Sequence, residues 1–134
     1  MKRVLAILVE DRVGVLTRVS GLFSRRGYNI QNIAVGRTTE PGISRMTVTV
    51  DADPITVEQI VKQLNKLVNV LKVSDLTDEL SVGRELMLVK VKAEPGRRSE
   101  IQQMAATFRA KIIDISPDSM IIEVTGEEQK LQAF

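Results

Sequence analysis

The chain has 134 residues, 43% of them hydrophobic and 27% charged, enough for one ordinary domain or two small ones with real cores. Its 19 Lys and Arg against 17 Asp and Glu leave a net charge of +2 with no long positive stripe, which argues against a phosphate-gripping surface. With neither Cys nor His, disulfides, thiolate nucleophiles, the usual proton shuttle and the commonest zinc ligands are all excluded.

Met1-Lys2-Arg3 runs into a short apolar stretch, Val4 to Val9. That is far below the roughly 20 residues of a membrane span, and no cleavage site follows it. It predicts a buried strand in a soluble, cytoplasmic protein with no membrane partner. The strand ends at Glu10-Asp11-Arg12, and Gly14 opens a helix with an apolar stripe of Leu16, Val19, Leu22 and Phe23. Gly27 is placed to stop that helix. A second strand fits Asn29 to Val35, and Glu40-Pro41-Gly42 supplies a turn. From Arg45 to Val50 the chain alternates, with Met46, Val48 and Val50 on one face and Arg45, Thr47 and Thr49 on the other.

Asp53-Pro54 breaks that strand, and Asp51 and Asp53 read as helix-entry residues, not metal ligands. Thr56-x-x-Gln59 offers a capping box for a helix carrying Ile60, Val61, Leu64 and Leu67. Val70 to Leu76 gives a fourth strand, closing a βαββαβ order within residues 1–76.

Residues 77–83 read as a linker, and the order then begins again. Leu86 to Val91 is a strand, and Ser99-x-x-Gln102 suggests a cap for a helix with Ile101, Met104, Ala105 and Phe108. Ile112 to Ile115, the turn Ser116-Pro117-Asp118-Ser119 and Met120 to Val124 form a hairpin. A last helix starts near Gly126-Glu127. No eighth strand follows, so the second module, residues 84–134, is expected to be incomplete, truncated or borrowing its missing strand. Arg25-Arg26 and Arg97-Arg98 read as solvated helix ends. The expected class is α+β: two ferredoxin-like βαββαβ modules, each an antiparallel sheet with both helices on one face. Apolar residues on both faces of the first strand predict oligomerisation.

Chemistry is most legible in Glu10 to Leu16. Backbone N–H groups at a helix start lack intrahelical partners and carry the positive dipole end, so a carboxylate is a suitable guest. Gly14 lets a ligand approach without meeting a Cβ. Asn29, at the start of a strand, offers both a donor and an acceptor. On local grounds alone, a plain strand-to-helix turn and a turn or capping Asn are the commoner readings of these two features.

Beyond these single features, the run Val15-Leu16, Arg18-Val19 and Gly21 through Ile30 resembles the small regulatory subunits of acetolactate synthase (acetohydroxyacid synthase). So do Ser44-Arg45-Met46-Thr47, Gln63 to Val68, Arg84 to Lys90 and Ile112-Ile113-Asp114-Ile115. These pieces lie in family order and cover nearly the whole chain. The resemblance implies an N-terminal ACT domain, which binds small effectors, and a ferredoxin-like C-terminal domain that docks on and activates the large catalytic subunit. It implies a homodimer of ACT domains binding valine, or another branched-chain amino acid, at their interface for feedback inhibition in branched-chain amino acid biosynthesis. Gly14, Val15 and Leu16 would present N–H groups from one protomer, and Asn29 and Ile30 would approach from the other. Asp11 shares the loop, where its charge opposes a carboxylate and suggests contact with the ammonium group. Thiamine diphosphate, a divalent metal and FAD belong to the catalytic partner; no site for them is legible here, and the chain is expected to be no enzyme by itself.

RNA-binding domains share the βαββαβ order but stack bases on aromatic residues of their central strands. The four aromatics here, Phe23, Tyr28, Phe108 and Phe134, fall on helices or loops, so no nucleic-acid partner is expected. A small acylphosphatase-like enzyme using Arg12 and Asn29 lacks the loop pattern that chemistry needs. The remaining alternative is an ACT sensor serving a different enzyme.

Overall fold

A computed structural model describes residues 1–77 and 80–134, and the chain divides into two compact units, Met1–Ser81 and Val82–Phe134. The expected linker, 77–83, falls partly on Asp78 and Glu79, which lie outside the described residues.

The first unit runs β1 (Lys2–Glu10), α1 (Val15–Arg25), β2 (Ile30–Arg37), β3 (Ile43–Asp51), α2 (Pro54–Leu64) and β4 (Val70–Asp75). Its four strands stand in the antiparallel order β2-β3-β1-β4, which leaves β2 and β4 as edges. Strand alternation sorts the side chains: Leu5, Ile7 and Val9 of β1 lie opposite Val48, Met46 and Ser44 of β3, all buried toward the helices. α1 adds Val15, Val19, Leu22 and Phe23 to that core, and α2 adds Val57, Ile60 and Leu64.

Two expectations shift by a residue or more. The buried stripe of α1 begins at Val15, while Leu16 is 48% exposed, because the helix starts one residue past Gly14 and turns residue 16 outward. α2 is capped by Asp53, not by a box at Thr56: the Asp53 carboxylate accepts the Thr56 N–H at 2.7 Å, and Pro54 fills the first turn. That hydrogen bond from the Thr56 amide holds the Asp53 carboxyl below the ordinary carboxylate range. Gly27 ends α1 as expected, at φ 72°, with the Tyr28 N–H donating to the Phe23 carbonyl at 2.9 Å.

The second unit runs β5 (Glu85–Lys92), a 3-10 turn (Pro95–Arg97), α3 (Arg98–Thr107), β6 (Lys111–Ile115), β7 (Ser119–Gly126) and α4 (Glu128–Ala133). Its sheet has three strands in the order β5-β7-β6. Met120, Ile122 and Val124 of β7 form the buried centre, and Phe108 meets Phe134 edge to face at 5.2 Å. The 3-10 turn displaces the expected cap, so Ser99 sits inside α3. Arg98 is no solvated helix end. Its Nη2 donates to the carbonyls of Ser116 and Pro117 at 2.6 and 2.7 Å, clasping the β6–β7 turn. No helix among the described residues is long and apolar enough to cross a membrane.

Candidate functional site

The loop from Asp11 to Gly14 leaves the end of β1 and delivers α1. Gly14 takes φ 86°, a left-handed conformation that most side chains resist, and no side chain caps the helix it begins. A Cβ built on Gly14 would meet nothing within 4 Å, so the space in front of the first turn is open. Val13 is fully exposed and Leu16 half-exposed, whereas the Val15 side chain is buried and its amide makes a long 3.3 Å bond to the Arg12 carbonyl.

The loop is pinned from three sides. The Asp11 amide donates to the Gly42 carbonyl at 2.8 Å, tying it to the β2–β3 turn. Arg37, at the end of β2, sets its Nε 3.1 Å from Asp11 Oδ2. On the other flank, the Glu10 amide donates to the Asn69 carbonyl at 2.9 Å, and Glu10 Oε2 takes the Arg12 Nε at 2.8 Å. Asn69 is almost fully buried; its amide group reaches Glu10 Oε2 at 3.4 Å and accepts from the Arg18 guanidinium on α1. Arg37 and Asn69 were not singled out by sequence pattern, since each gains its meaning from a neighbour distant in the chain.

Asn29 and Ile30 lie at the opposite end of the same sheet. Ile30 and Arg3 both pair with Val50, while Arg37 and Val9 both pair with Ser44. Asn29 is therefore level with the start of β1, and the Asp11–Gly14 loop lies beyond its end, on the order of 30 Å further along at about 3.4 Å per residue. A single chain brings Gly14, Val15, Leu16 and Asp11 together and holds Asn29 and Ile30 away from them.

β2 is an open edge. From Ile30 to Gly36 it carries no charge, and two of the residues it turns toward the helix side, Ile33 and Val35, are 37% and 48% exposed. Edge strands ordinarily carry charges, prolines or bulges that discourage pairing. A depression of about 400 Å³ lined by Ala34 to Thr38, Arg45 and Thr47 lies along this edge. Among the described residues no cluster of acidic groups has the makings of a metal site.

Residues 5–72 match the family described as AHAS small subunit-like ACT domain, and residues 84–134 match the one described as small subunit of acetolactate synthase. The chain belongs to the acetolactate synthase small-subunit family. It is 54% identical, over its whole length and 84% of the relative's, to a probable acetolactate synthase small subunit from Archaeoglobus fulgidus. Against the acetolactate synthase small subunit of Mycobacterium avium it is 52% identical over 97% of this chain and 78% of that one. The crystal structure of the acetolactate synthase small subunit from Thermotoga maritima superposes with a TM-score of 0.90 at 43% identity, covering 99% of this chain and 83% of that one. Membership fixes the fold of the first unit as an ACT domain and the chain's class as a regulatory small subunit.

Proposed function

We propose that this small subunit senses valine, or a related branched-chain amino acid, at a site assembled between two ACT domains, and that it activates and restrains the large catalytic subunit of acetolactate synthase through its second unit. The observation that carries the reading is the separation of its two halves. The open, uncapped start of α1 and the exposed Asn29 sit at opposite ends of one sheet, on either side of an edge strand that carries no charge from Ile30 to Gly36. Pairing two copies of β2 antiparallel about a twofold axis brings the Asn29 end of one against the Arg37 end of the other. Arg37 already touches Asp11, so the Asn29 of each copy arrives beside the helix-opening loop of its partner.

In that arrangement Gly14 and Leu16 offer backbone N–H groups to the carboxylate, with Val15 buried behind them to fix the turn. Asn29 supplies a donor and an acceptor, and Ile30 shapes the apolar side. Asp11 stands at the rim, one carboxylate oxygen held by Arg37. The pairing also covers Ile33 and Val35. Feedback follows if valine binds the inhibited arrangement of the complex more tightly, a coupling of about 1–3 kcal/mol in typical cases.

The test is a calorimetric titration of valine into this chain, with leucine, isoleucine and lysine as comparisons. Saturable binding of a branched-chain amino acid, weakened about tenfold or more in Asn29→Ala, is expected from loss of hydrogen bonds to a charged ligand. Lysine binding in place of the branched set would favour an ACT sensor for a different enzyme, and unchanged affinity in Asn29→Ala would remove that residue from the site.

A further inference from the structure

An amino-acid carboxylate can only settle at the start of α1 if the mouth of the loop does not repel it, and the loop opens with two carboxylates, Glu10 and Asp11. Each is matched by a guanidinium. Arg12 holds Glu10 at 2.8 Å from within the loop, and Arg37 holds Asp11 at 3.1 Å from the end of a different strand. Arg12 lies two residues after Glu10 and its pairing is local. Arg37 is brought there by the fold: its strand ends level with Val9, and Asp11 is fixed against the neighbouring turn through the Gly42 carbonyl.

We propose that Arg37 is a positioning residue of the effector site, neutralising Asp11 so that a ligand carboxylate can bind at Gly14 and Leu16. The inference rests on the effector reading above and deepens it. The pair is largely exposed, with Arg37 86% and Asp11 38% accessible, and an exposed pair contributes little to folding. Its loss is therefore felt by an incoming anion and hardly by the fold. Freed of Arg37, Asp11 would place a full negative charge within a few residues of the site. In a partly solvated setting that repulsion amounts to roughly threefold to tenfold in affinity. It is also screened: at 1 M salt the Debye length is about 3 Å and the effect disappears.

The experiment titrates valine into the full chain and three variants, Arg37→Met, Asp11→Asn and the double variant, at low and at 1 M salt, with a melting curve for each. Arg37→Met is expected to bind roughly threefold to tenfold more weakly at low salt and near the unaltered affinity at 1 M. Asp11→Asn is expected to bind at least as tightly as the unaltered chain, and the double variant to recover its affinity, with melting temperatures nearly constant across the set. Unaltered affinity in Arg37→Met at low salt overturns the inference. So does a double variant as weak as Arg37→Met, which would make Arg37 a direct contact of ligand or partner. Failure of the unaltered chain to bind any branched-chain amino acid is a different result, overturning the effector reading and this inference with it.

Discussion

The two units start from the same chain order and differ in what flanks their first strand. β1 lies between β3 and β4, and its inward residues Leu5, Ile7 and Val9 are almost wholly enclosed. Among the described residues β5 pairs with β7 alone, and its inward residues Met87, Val89 and Val91 remain half-buried around an apolar cavity of about 350 Å³ that Ile101, Met104 and Phe134 also line. On the outer face of β5, Leu86 and Leu88 are 61% and 58% exposed. A similar apolar run thus yields a closed core in one unit and an open flank in the other. Strand composition alone does not bury a strand; its neighbours do.

The comparison breaks most visibly in the cores. Ile7→Ala should destabilise the first unit by about 2–5 kcal/mol, the range for deleting a fully packed side chain. Val89→Ala, beside an existing cavity, should cost the second unit about 1 kcal/mol or less. Urea unfolding followed by far-UV circular dichroism checks both, and equal costs would mean the flank of β5 is as tightly packed as the centre of the first sheet.

An intermediate effect separates how the units hold their turns. The second unit relies on Arg98, which spans from α3 to the carbonyls of Ser116 and Pro117, its Nε enclosed without a partner among the described residues. Arg98→Met should cost about 1–3 kcal/mol and loosen the β6–β7 turn, visible as faster amide exchange at Ser116 to Met120. The first unit should be unaffected.

The smallest effect concerns acid. Burial by itself would raise the Asp75 carboxyl, but hydrogen bonds from Thr77 and the Arg3 guanidinium, 2.9 Å away, outweigh it and hold the group below the ordinary carboxylate range. The folded state therefore stays ionised to lower pH than the unfolded chain. The stability this supplies is complete above the unfolded value of about 4 and is lost as pH falls through the lowered folded value. Thr77→Val should move the acid-unfolding midpoint of the first unit upward by a small amount in a circular dichroism titration.

These contrasts also mark how far the sequence could be read. The alternation of Met46, Val48 and Val50, the stop at Gly27 and the hairpin of β6 and β7 follow from spacing and from residues with one conformational use. The capping groups were harder. Asp53 and Thr56 both satisfy a cap pattern, and only the position of Pro54 in the first turn decides between them. Leu16 and Val15 differ by one helical step of 100°, which periodicity over a single short helix does not resolve. Of the residues proposed for the site, Gly14 and Asn29 drew notice in the sequence because their types carry specific backbone and hydrogen-bonding roles. Arg37 did not, because an arginine at a strand end is ordinarily solvated. Its partner Asp11 is 26 residues away and meets it only through the register of β2, β3 and β1.

The central claim is that each effector site takes its loop from one chain and its Asn29 from another. Gly14→Asp places a negative charge and a strained left-handed residue at the loop, and Asn29→Ala removes the opposing side chain, so each variant alone should lose valine binding. Co-expressed, the two variants form mixed dimers in which one of the two sites draws its loop and its Asn29 from the unaltered halves. Calorimetry on the co-expressed protein should then recover sites of ordinary affinity at about one quarter of full capacity, as random pairing across a twofold interface requires. If the mixture binds no more valine than either variant alone, the site lies within one chain or elsewhere, and the shared-site account is wrong.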